Sequence, residues 1–201
     1  MEKYNDIIIA TKNSGKVDEI KKILKDLPFD VKCMKDVGMD DEIDECGTTF
    51  EENAMIKAKY IFDKTGSLVI ADDSGLEIDY LNGEPGIYSA RFAGENASYE
   101  EKINLMLSRL EGVSFEDRTA RFVCAVAVCL PDGGEFVVRD TCEGYIALEP
   151  KGENGFGYDP IFYMKEYDMT TAQLEPDEKN RISHRGKALK KMEKKLKDML
   201  K

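Results

Sequence analysis

The sequence predicts a mixed α/β fold in which helices flank a mixed β-sheet. Short apolar runs typical of buried strands are interspersed with stretches of helical periodicity. Two longer strand-like runs are separated by Pro131-Asp132-Gly133-Gly134, a sequence typical of a hairpin turn. Because strands and helices do not alternate strictly along the chain, we expect a mixed sheet and not a purely parallel one.

The N-terminal half contains alternating strands and helices. We expect strands at Ile7–Ala10, Asp30–Met34, Leu68–Ala71 and Leu76–Asp79. Helical periodicity covers Lys16–Leu27 and ends at Pro28, which cannot continue a helix. A second helix begins after Thr49, which can form a capping box with Glu52, and ends at Gly66.

The C-terminal half contains the expected hairpin between two helices. We expect a helix at Tyr99–Leu110, then strands at Arg118–Leu130 and Gly134–Arg139, the second extended by Thr141–Leu148. The last element is a basic amphipathic helix, roughly Gly186–Leu200, whose lysines form a solvated face. The 201 residues fit one globular domain, or one domain with two lobes.

Composition excludes several classes of function. The net charge of −11 disfavours binding to a nucleic-acid backbone, but a small anionic ligand is compatible with it where basic residues converge. No apolar run approaches the roughly 18–20 residues that span a bilayer, and no export signal is present. The five cysteines include no C-x-x-C pair, which indicates free thiols in a reducing cytoplasm. We therefore expect a cytoplasmic protein without nucleic-acid or membrane partners.

The segment Thr11-Lys12-Asn13-Ser14-Gly15-Lys16 lies between a buried strand and a helix. Backbone N–H groups at a helix N-terminus favour an anion, and Lys16 adds a full positive charge. The spacing is not that of a Walker A loop. The alternative is an ordinary strand-to-helix turn with Ser or Asn as the helix cap.

The segment Asp72-Asp73-Ser74-Gly75 follows another buried strand. Carboxylates at the carboxyl end of a strand lie where α/β proteins bind ligands, and they suit Mg²⁺ together with substrate phosphates. Because neighbouring residues of a strand point to opposite faces, only one aspartate should face a ligand. The alternative is an Asx-type turn into the next strand.

Two further segments carry aromatic and basic groups. In Gly155-Phe156-Gly157-Tyr158-Asp159-Pro160, the rings offer flat surfaces to a base and Asp159 could accept ring N–H groups; plain loop packing is the alternative. Ser183-His184-Arg185-Gly186, with Lys179 before it, offers groups that recognise phosphate or a base edge, although a lone histidine is more often structural. Lys57 lies one helical turn after Asn53 and could border the same site, or be an ordinary exposed lysine.

Seven segments together resemble the inosine/xanthosine triphosphate pyrophosphatase family, also described as Ham1-like. The matching segments are IIIATKNSGK at 7–16, TFEENAMIKA at 49–58, VIADDSGLEID at 69–79, GEPGIYSARFAG at 83–94, RTARFVCAVAV at 118–128, GFGYDPIF at 155–162 and ISHRGKAL at 182–189. Their common order makes the resemblance more specific than any single motif. It implies a homodimer built on an elongated mixed sheet, with the substrate in a cleft between two lobes.

The resemblance also implies residue roles. Asp73 would be the general base and a metal-linked carboxylate, and Lys57 would add positive charge at the triphosphate. Asp44 would be the second Mg²⁺ carboxylate, with Glu45 as the competing choice. The implied substrate-binding residues are Thr11, Lys12, Asn13, Ser14, Gly15, Lys16, Ser74, Phe156, Gly157, Tyr158, Asp159, Lys179, His184 and Arg185.

The implied activity is hydrolysis of ITP, dITP and XTP, which are non-standard purine nucleoside triphosphates, to the monophosphate and pyrophosphate. In such a reaction, Asp73 would orient or deprotonate the attacking water while Mg²⁺ and the lysines offset phosphate charge. Two alternatives remain open: a related pyrophosphatase acting on other modified nucleotides, and a nucleotide sensor without catalysis.

Overall fold

The computed structural model describes residues 6–25 and 29–199, and the described part is a mixed α/β fold, as expected. The helices are α1 (Ser14–Leu24), α2 (Phe50–Thr65), α3 (Tyr99–Arg109), α4 (Pro176–Ile182) and α5 (His184–Met199). The strands are β1 (Asp6–Ile9), β2 (Asp30–Cys33), β3 (Leu68–Ile78), β4 (Thr119–Cys129), β5 (Glu135–Ile146), β6 (Phe162–Met164) and β7 (Met169–Thr170). They form one sheet in the order β2-β1-β3-β4-β5-β6-β7. The sheet is mixed, since β1 is parallel to β2 and β3 whereas β6 is antiparallel to β5 and β7.

Local capping explains where the helices begin and end. Thr49 caps α2 by accepting a hydrogen bond from the Glu52 backbone N–H at 3.1 Å, and Gly66 ends the helix in the left-handed conformation, at φ 62°. In a complete capping box, the Glu52 carboxylate would accept a hydrogen bond from the backbone N–H of Thr49. Here it accepts from the backbone N–H of Thr48 instead. A complete capping box is formed instead at α3, between Ser98 and Glu101.

The chain divides into two compact units, each with its own apolar core. The first unit contains the chain up to Asp73, residues 124–140 and the chain from Arg185 onward. Its core is formed by β1, the first half of β3 and the apolar faces of α1 and α5. The second unit contains residues 74–123 and 141–184, and its core packs α3 against the second half of β3 and the strand β6. The expectation of one catalytic domain with a cleft remains a prediction.

Several elements differ from the sequence-based expectation. The strand β3 continues through Asp72-Asp73-Ser74-Gly75, so the alternative of an Asx-type turn at this segment is wrong. The short elements β6, β7 and α4 were not expected, and α5 begins at His184, earlier than Gly186. The expected helix end at Leu27 and Pro28, and the helix end at Leu200, lie outside the described residues. Within residues 6–25 and 29–199, no helix has the length and apolarity required to cross a bilayer.

Candidate active site

The turn between β1 and α1 presents an open helix N-terminus. The backbone N–H of Ala10 donates to Ile70 at 2.8 Å, which fixes the end of β1 against β3. Asn13 caps the helix through Lys16 N–H at 3.1 Å. The first turn of α1 contains no acidic residue, whereas α2 and α3 each carry two glutamates there. Since acidic side chains at a helix N-terminus compete with an external anion, α1 is better prepared to bind a phosphate than α2 or α3.

Asp72 and Asp73 contact different partners, as expected for neighbours in a strand. The Asp72 carboxylate is fully buried and lies 3.0 Å from Lys16 Nζ and 3.3 Å from Arg185 Nε. Arg185 is also buried and pairs with Glu19. Burial opposes its charge, but Asp72 and Glu19 raise the pKa of Arg185 above its ordinary value. Asp72 therefore organises two positively charged residues that the sequence assigned to substrate binding.

On the other side of the strand, Lys57 joins two carboxylates. Its Nζ lies 3.0 Å from Glu45 Oε1 and 3.1 Å from Asp73 Oδ1. We call Glu45, Lys57 and Asp73 the Lys57 triad. Lys57 and Asp73 are buried, and the second oxygen of Asp73 accepts no hydrogen bond from any described residue.

The charge balance of the Lys57 triad favours an additional cation. Burial raises the pKa of the Asp73 carboxyl, although Lys57 and Lys16 act in the opposite direction. Burial also opposes the charge of Lys57, but Asp73 and Glu45 raise its pKa. One positive and two negative side chains leave an excess negative charge in a buried place.

The two acids proposed as the second metal carboxylate differ in exposure. Glu45 is half-buried and contacts Lys57, whereas Asp44 is exposed. In the described part of the chain, no three His, Cys, Asp or Glu side chains form a ready metal cluster. A pair of carboxylates with an unused buried oxygen nevertheless fits Mg²⁺, which commonly binds through one or two carboxylates and completes its shell with phosphates and water. The geometry thus favours Glu45, and the assignment of Asp44 remains a prediction.

The aromatic and basic residues form a separate group in the second unit. Asp159 is buried and accepts hydrogen bonds from Lys179 Nζ at 2.6 Å, the Phe156 backbone N–H at 2.8 Å and Thr171 Oγ1 at 2.8 Å. Lys179 Nζ also lies 5.0 Å from the centre of the Phe156 ring. A Cβ atom at Gly155, where φ is +77°, would overlap the Asp159 carboxylate. Asp159 therefore fixes the glycine-aromatic loop through contacts within the protein.

Tyr158 and His184 are held by packing and hydrogen bonds. The Tyr158 hydroxyl donates to the Ser89 carbonyl at 2.8 Å, and its ring meets Tyr99 edge-on at 5.7 Å. Burial raises the pKa of the Tyr158 hydroxyl, which stays protonated as a donor. The His184 imidazole stacks on Phe122, with ring centres 4.8 Å apart. We call Phe156, Tyr158, Asp159, Lys179 and His184 the aromatic group.

The structure brings the expected residues together in two sets. Lys16 and Arg185 meet at Asp72, and Lys57 meets Asp73 and Glu45, all in the first unit. The aromatic group and Ser74 belong to the second unit, so the neighbours His184 and Arg185 fall in different sets. Sequence reasoning missed the supporting residues Glu19, Asn53, Ser89, Phe122 and Thr171. Three of these had a signal, since Asn53, Ser89 and Phe122 lie in the quoted segments 49–58, 83–94 and 118–128.

Comparison with known proteins identifies the family of the chain. The model of the Ham1 family matches residues 7–195. The chain belongs to the Ham1 family. Among its Ham1 relatives, the dITP/XTP pyrophosphatase of Bacillus licheniformis is 54% identical over 187 residues, which are 93% of this chain and 95% of the relative. The dITP/XTP pyrophosphatase of Bacillus subtilis is 53% identical over 189 residues, which are 94% of this chain and 96% of the relative.

Solved structures of Ham1 proteins share the fold. The Ham1 protein of Staphylococcus aureus is 44% identical and superimposes with a TM-score of 0.87, over 97% of this chain and 100% of that chain. The Ham1 protein of Coxiella burnetii is 42% identical, with the same TM-score of 0.87, over 96% of this chain and 99% of that chain. The sequence-based resemblance to this family is therefore confirmed.

Proposed function

We propose that this Ham1-family protein hydrolyses ITP, dITP and XTP to the nucleoside monophosphate and pyrophosphate, and so removes non-standard purine nucleotides from the precursor pool. The observation that carries the proposal is the Lys57 triad, a buried and negatively charged site with an unused carboxylate oxygen. The naming of near-full-length relatives as dITP/XTP pyrophosphatases supports the substrate class.

The triphosphate binds at the turn of residues 11–16 in this proposal. The backbone of Lys12, Ser14 and Gly15 offers N–H groups beside the N-terminus of α1, whose first turn contains no acidic residue. Thr11 and Asn13 shape the turn, because their backbone N–H groups donate to the Ile9 carbonyl and to the Thr11 hydroxyl. Lys16 is held at this end of the helix by Asp72, and it contributes a full positive charge. Lys57 contributes a second one from the opposite face of β3.

Asp73 is the proposed general base, and Glu45 is the proposed second carboxylate for Mg²⁺, in preference to Asp44. A bound Mg²⁺ ion supplies charge neutralisation for the phosphates. A buried carboxyl with a raised pKa accepts a proton more readily than an exposed one, so Asp73 is suited to take a proton from the attacking water. Lys57 holds the Asp73 carboxylate in place from one oxygen, and the other oxygen, which accepts no hydrogen bond from a described residue, is available to the metal ion or to the attacking water.

The purine base is recognised by the aromatic group, with Ser74, Gly157 and Arg185 as further substrate-binding residues. The half-buried Phe156 ring offers a stacking surface, and the buried His184 offers a polar edge. Asp159 contributes indirectly, because it holds Lys179 and the loop. A polar site that pairs with O6 and N1–H rejects adenine by leaving groups unpaired. The 2-amino group of guanine then meets a steric or desolvation penalty, and equal turnover of GTP and ITP would contradict this explanation.

A product-resolved assay tests the proposal. Purified protein is incubated with Mg²⁺ and ITP, XTP, ATP or GTP, and the products are separated by anion-exchange chromatography. Monophosphate and pyrophosphate from ITP and XTP, with little turnover of ATP and GTP, is the expected result. Release of orthophosphate would show that a different bond is cleaved, and binding of ITP without turnover would indicate a sensor.

The proposed setting of the reaction is the cytoplasm, with the protein as a homodimer. The reducing cytoplasm suits a chain whose five cysteines, all among the described residues, form no disulfide. Light scattering on purified protein at several concentrations measures the oligomeric state, and a mass near 22.7 kDa throughout would contradict the dimer.

A further inference from the structure

Four contacts hold the acidic loop, residues 40–48, against α2. Asp41 contacts Lys64 at 2.9 Å, and Glu45 contacts Lys57 at 3.0 Å. The Gly47 backbone N–H donates to Asn53 Oδ1 at 2.8 Å, and the Thr48 backbone N–H donates to Glu52 Oε2 at 2.7 Å. As the residue number increases along the loop from 45 to 48, the number of the contacted α2 residue decreases from 57 to 52. The loop therefore runs antiparallel to the N-terminal turns of α2. The loop has no regular secondary structure of its own, and these contacts determine its path.

Asn53 is the most deeply buried member of this set. Its side chain is fully excluded from solvent, and its Nδ2 finds no hydrogen-bond partner among the described residues. Burying an amide with unused donors is unfavourable compared with an apolar side chain of similar size. The unused Nδ2 of Asn53 therefore lowers the stability of the fold, and what the side chain provides in return is the hydrogen bond that Oδ1 accepts from the Gly47 N–H.

Gly47 brings the loop backbone directly onto the helix. A Cβ atom at this position would lie 2.6 Å from Asn53 Oδ1 and 2.7 Å from the Glu52 Cβ. Only glycine permits this approach. Glu45 lies two residues before Gly47, so the Glu45 backbone stays within about 7 Å of the Gly47 backbone, which Asn53 holds in place.

We propose that Asn53 is a positioning residue, which through Gly47 holds the Glu45 carboxylate beside Asp73 and thereby sets the affinity of the Lys57 triad for a divalent cation. Asp73 needs no loop contact to hold it, because it belongs to β3, an interior strand of the sheet. Glu45 is on an irregular loop, so its contribution depends on the loop being held. The inference rests on the proposed function in that it takes the Lys57 triad as the metal site.

The test compares Asn53→Ala with Asn53→Asp and Glu51→Gln. Asn53→Asp keeps the acceptor oxygen, and Glu51→Gln alters the same helical turn at a residue that contacts Arg139 and not the loop. We expect Asn53→Ala to raise the Mg²⁺ concentration for half-maximal ITP hydrolysis about tenfold or more, with a smaller change in the rate at saturating Mg²⁺. Asn53→Asp and Glu51→Gln should stay near the wild-type Mg²⁺ requirement. If Asn53→Ala does not fold, as judged by circular dichroism, Asn53→Ser takes its place with the same expectation.

Two readouts are independent of catalysis. Mn²⁺ titration followed by electron paramagnetic resonance should show weaker binding in Asn53→Ala and recovery in Asn53→Asp. Hydrogen exchange should accelerate at the Gly47 amide in Asn53→Ala and be restored in Asn53→Asp. Unchanged Mn²⁺ binding and an unchanged Mg²⁺ requirement in Asn53→Ala would overturn the inference, as would an equal effect of Glu51→Gln. A wild-type protein that releases no pyrophosphate would refute the proposed function instead, while Mn²⁺ binding and hydrogen exchange would still decide the role of Asn53.

Discussion

Replacing Asp72 or Asp73 with asparagine removes one negative charge with little change in shape, and the structure predicts different consequences at the two positions. Asp72 is fully buried between Lys16 and Arg185, and without its charge the buried guanidinium keeps only Glu19 among these contacts. Breaking a buried ion pair by removing one partner costs about 3–5 kcal/mol. With a urea dependence of about 2 kcal/mol per molar, the unfolding midpoint of Asp72→Asn should fall by about 1.5–2.5 M.

Asp73→Asn should leave stability unchanged or slightly higher. Burial raises the pKa of Asp73, so folding disfavours its charged form, and at pH 7 the charge contributes no stability that asparagine would remove. Lys57 keeps Glu45 as a partner in this variant. Because the proposed general base is lost, kcat for ITP should fall by about 10²–10⁴-fold.

Urea unfolding by circular dichroism, combined with pyrophosphate release at matched folded fractions, separates the two effects. A destabilised Asp73→Asn together with an unaffected Asp72→Asn would refute the assignment of the two aspartates to opposite faces of β3. Near-normal turnover by a folded Asp73→Asn would remove Asp73 from its proposed role.

Three further changes test other parts of the structure. Arg118 donates to three backbone carbonyls, two of these bonds being buried, so Arg118→Met should cost about 3 kcal/mol and lower Tm by about 6–12 °C in calorimetry; an unchanged Tm would contradict this. Gly155→Ala should displace Asp159 and raise KM for ITP, with kcat less affected, whereas a wild-type KM would show that the loop tolerates the methyl group. Asp36, which accepts from the Cys33 backbone N–H, has a pKa lowered from 3.8 to about 2 by that bond. Its stabilisation is therefore present above pH 4 and lost as pH falls towards 2, so the Tm difference between wild type and Asp36→Asn should vanish over that range.

Most of the fold could be predicted because its signals are local. The caps at Thr49 and Gly66 and the periodicity of α1, α2 and α3 act within a few residues. The elements β6 and β7 have only three and two residues, too few for a recognisable period. The strand β3 continues through Asp72–Gly75 because it lies inside the sheet next to β4, and this tertiary effect overrides the low strand preference of aspartate and glycine.

The sequence indicates which residues belong to the candidate site, but it does not indicate which of them contact each other. The basic turn, the aspartate pair and the glycine-aromatic loop each carry chemistry that the sequence displays. The pairing of Asp72 with Arg185 joins residues 113 positions apart, and no local pattern indicates it. The preference for Glu45 over Asp44 likewise depends on how the acidic loop lies along α2, which only tertiary contacts determine.

The uncompensated N-terminus of α1 has a consequence for protein engineering. An acidic residue in place of Ser14 would interact with the helix dipole and add about 0.3–1 kcal/mol of stability, as the glutamates of α2 and α3 do. The same carboxylate would repel a triphosphate. A screen for heat resistance would therefore enrich such a variant, and a screen for turnover would discard it. At this position, the most stable sequence and the most active one differ.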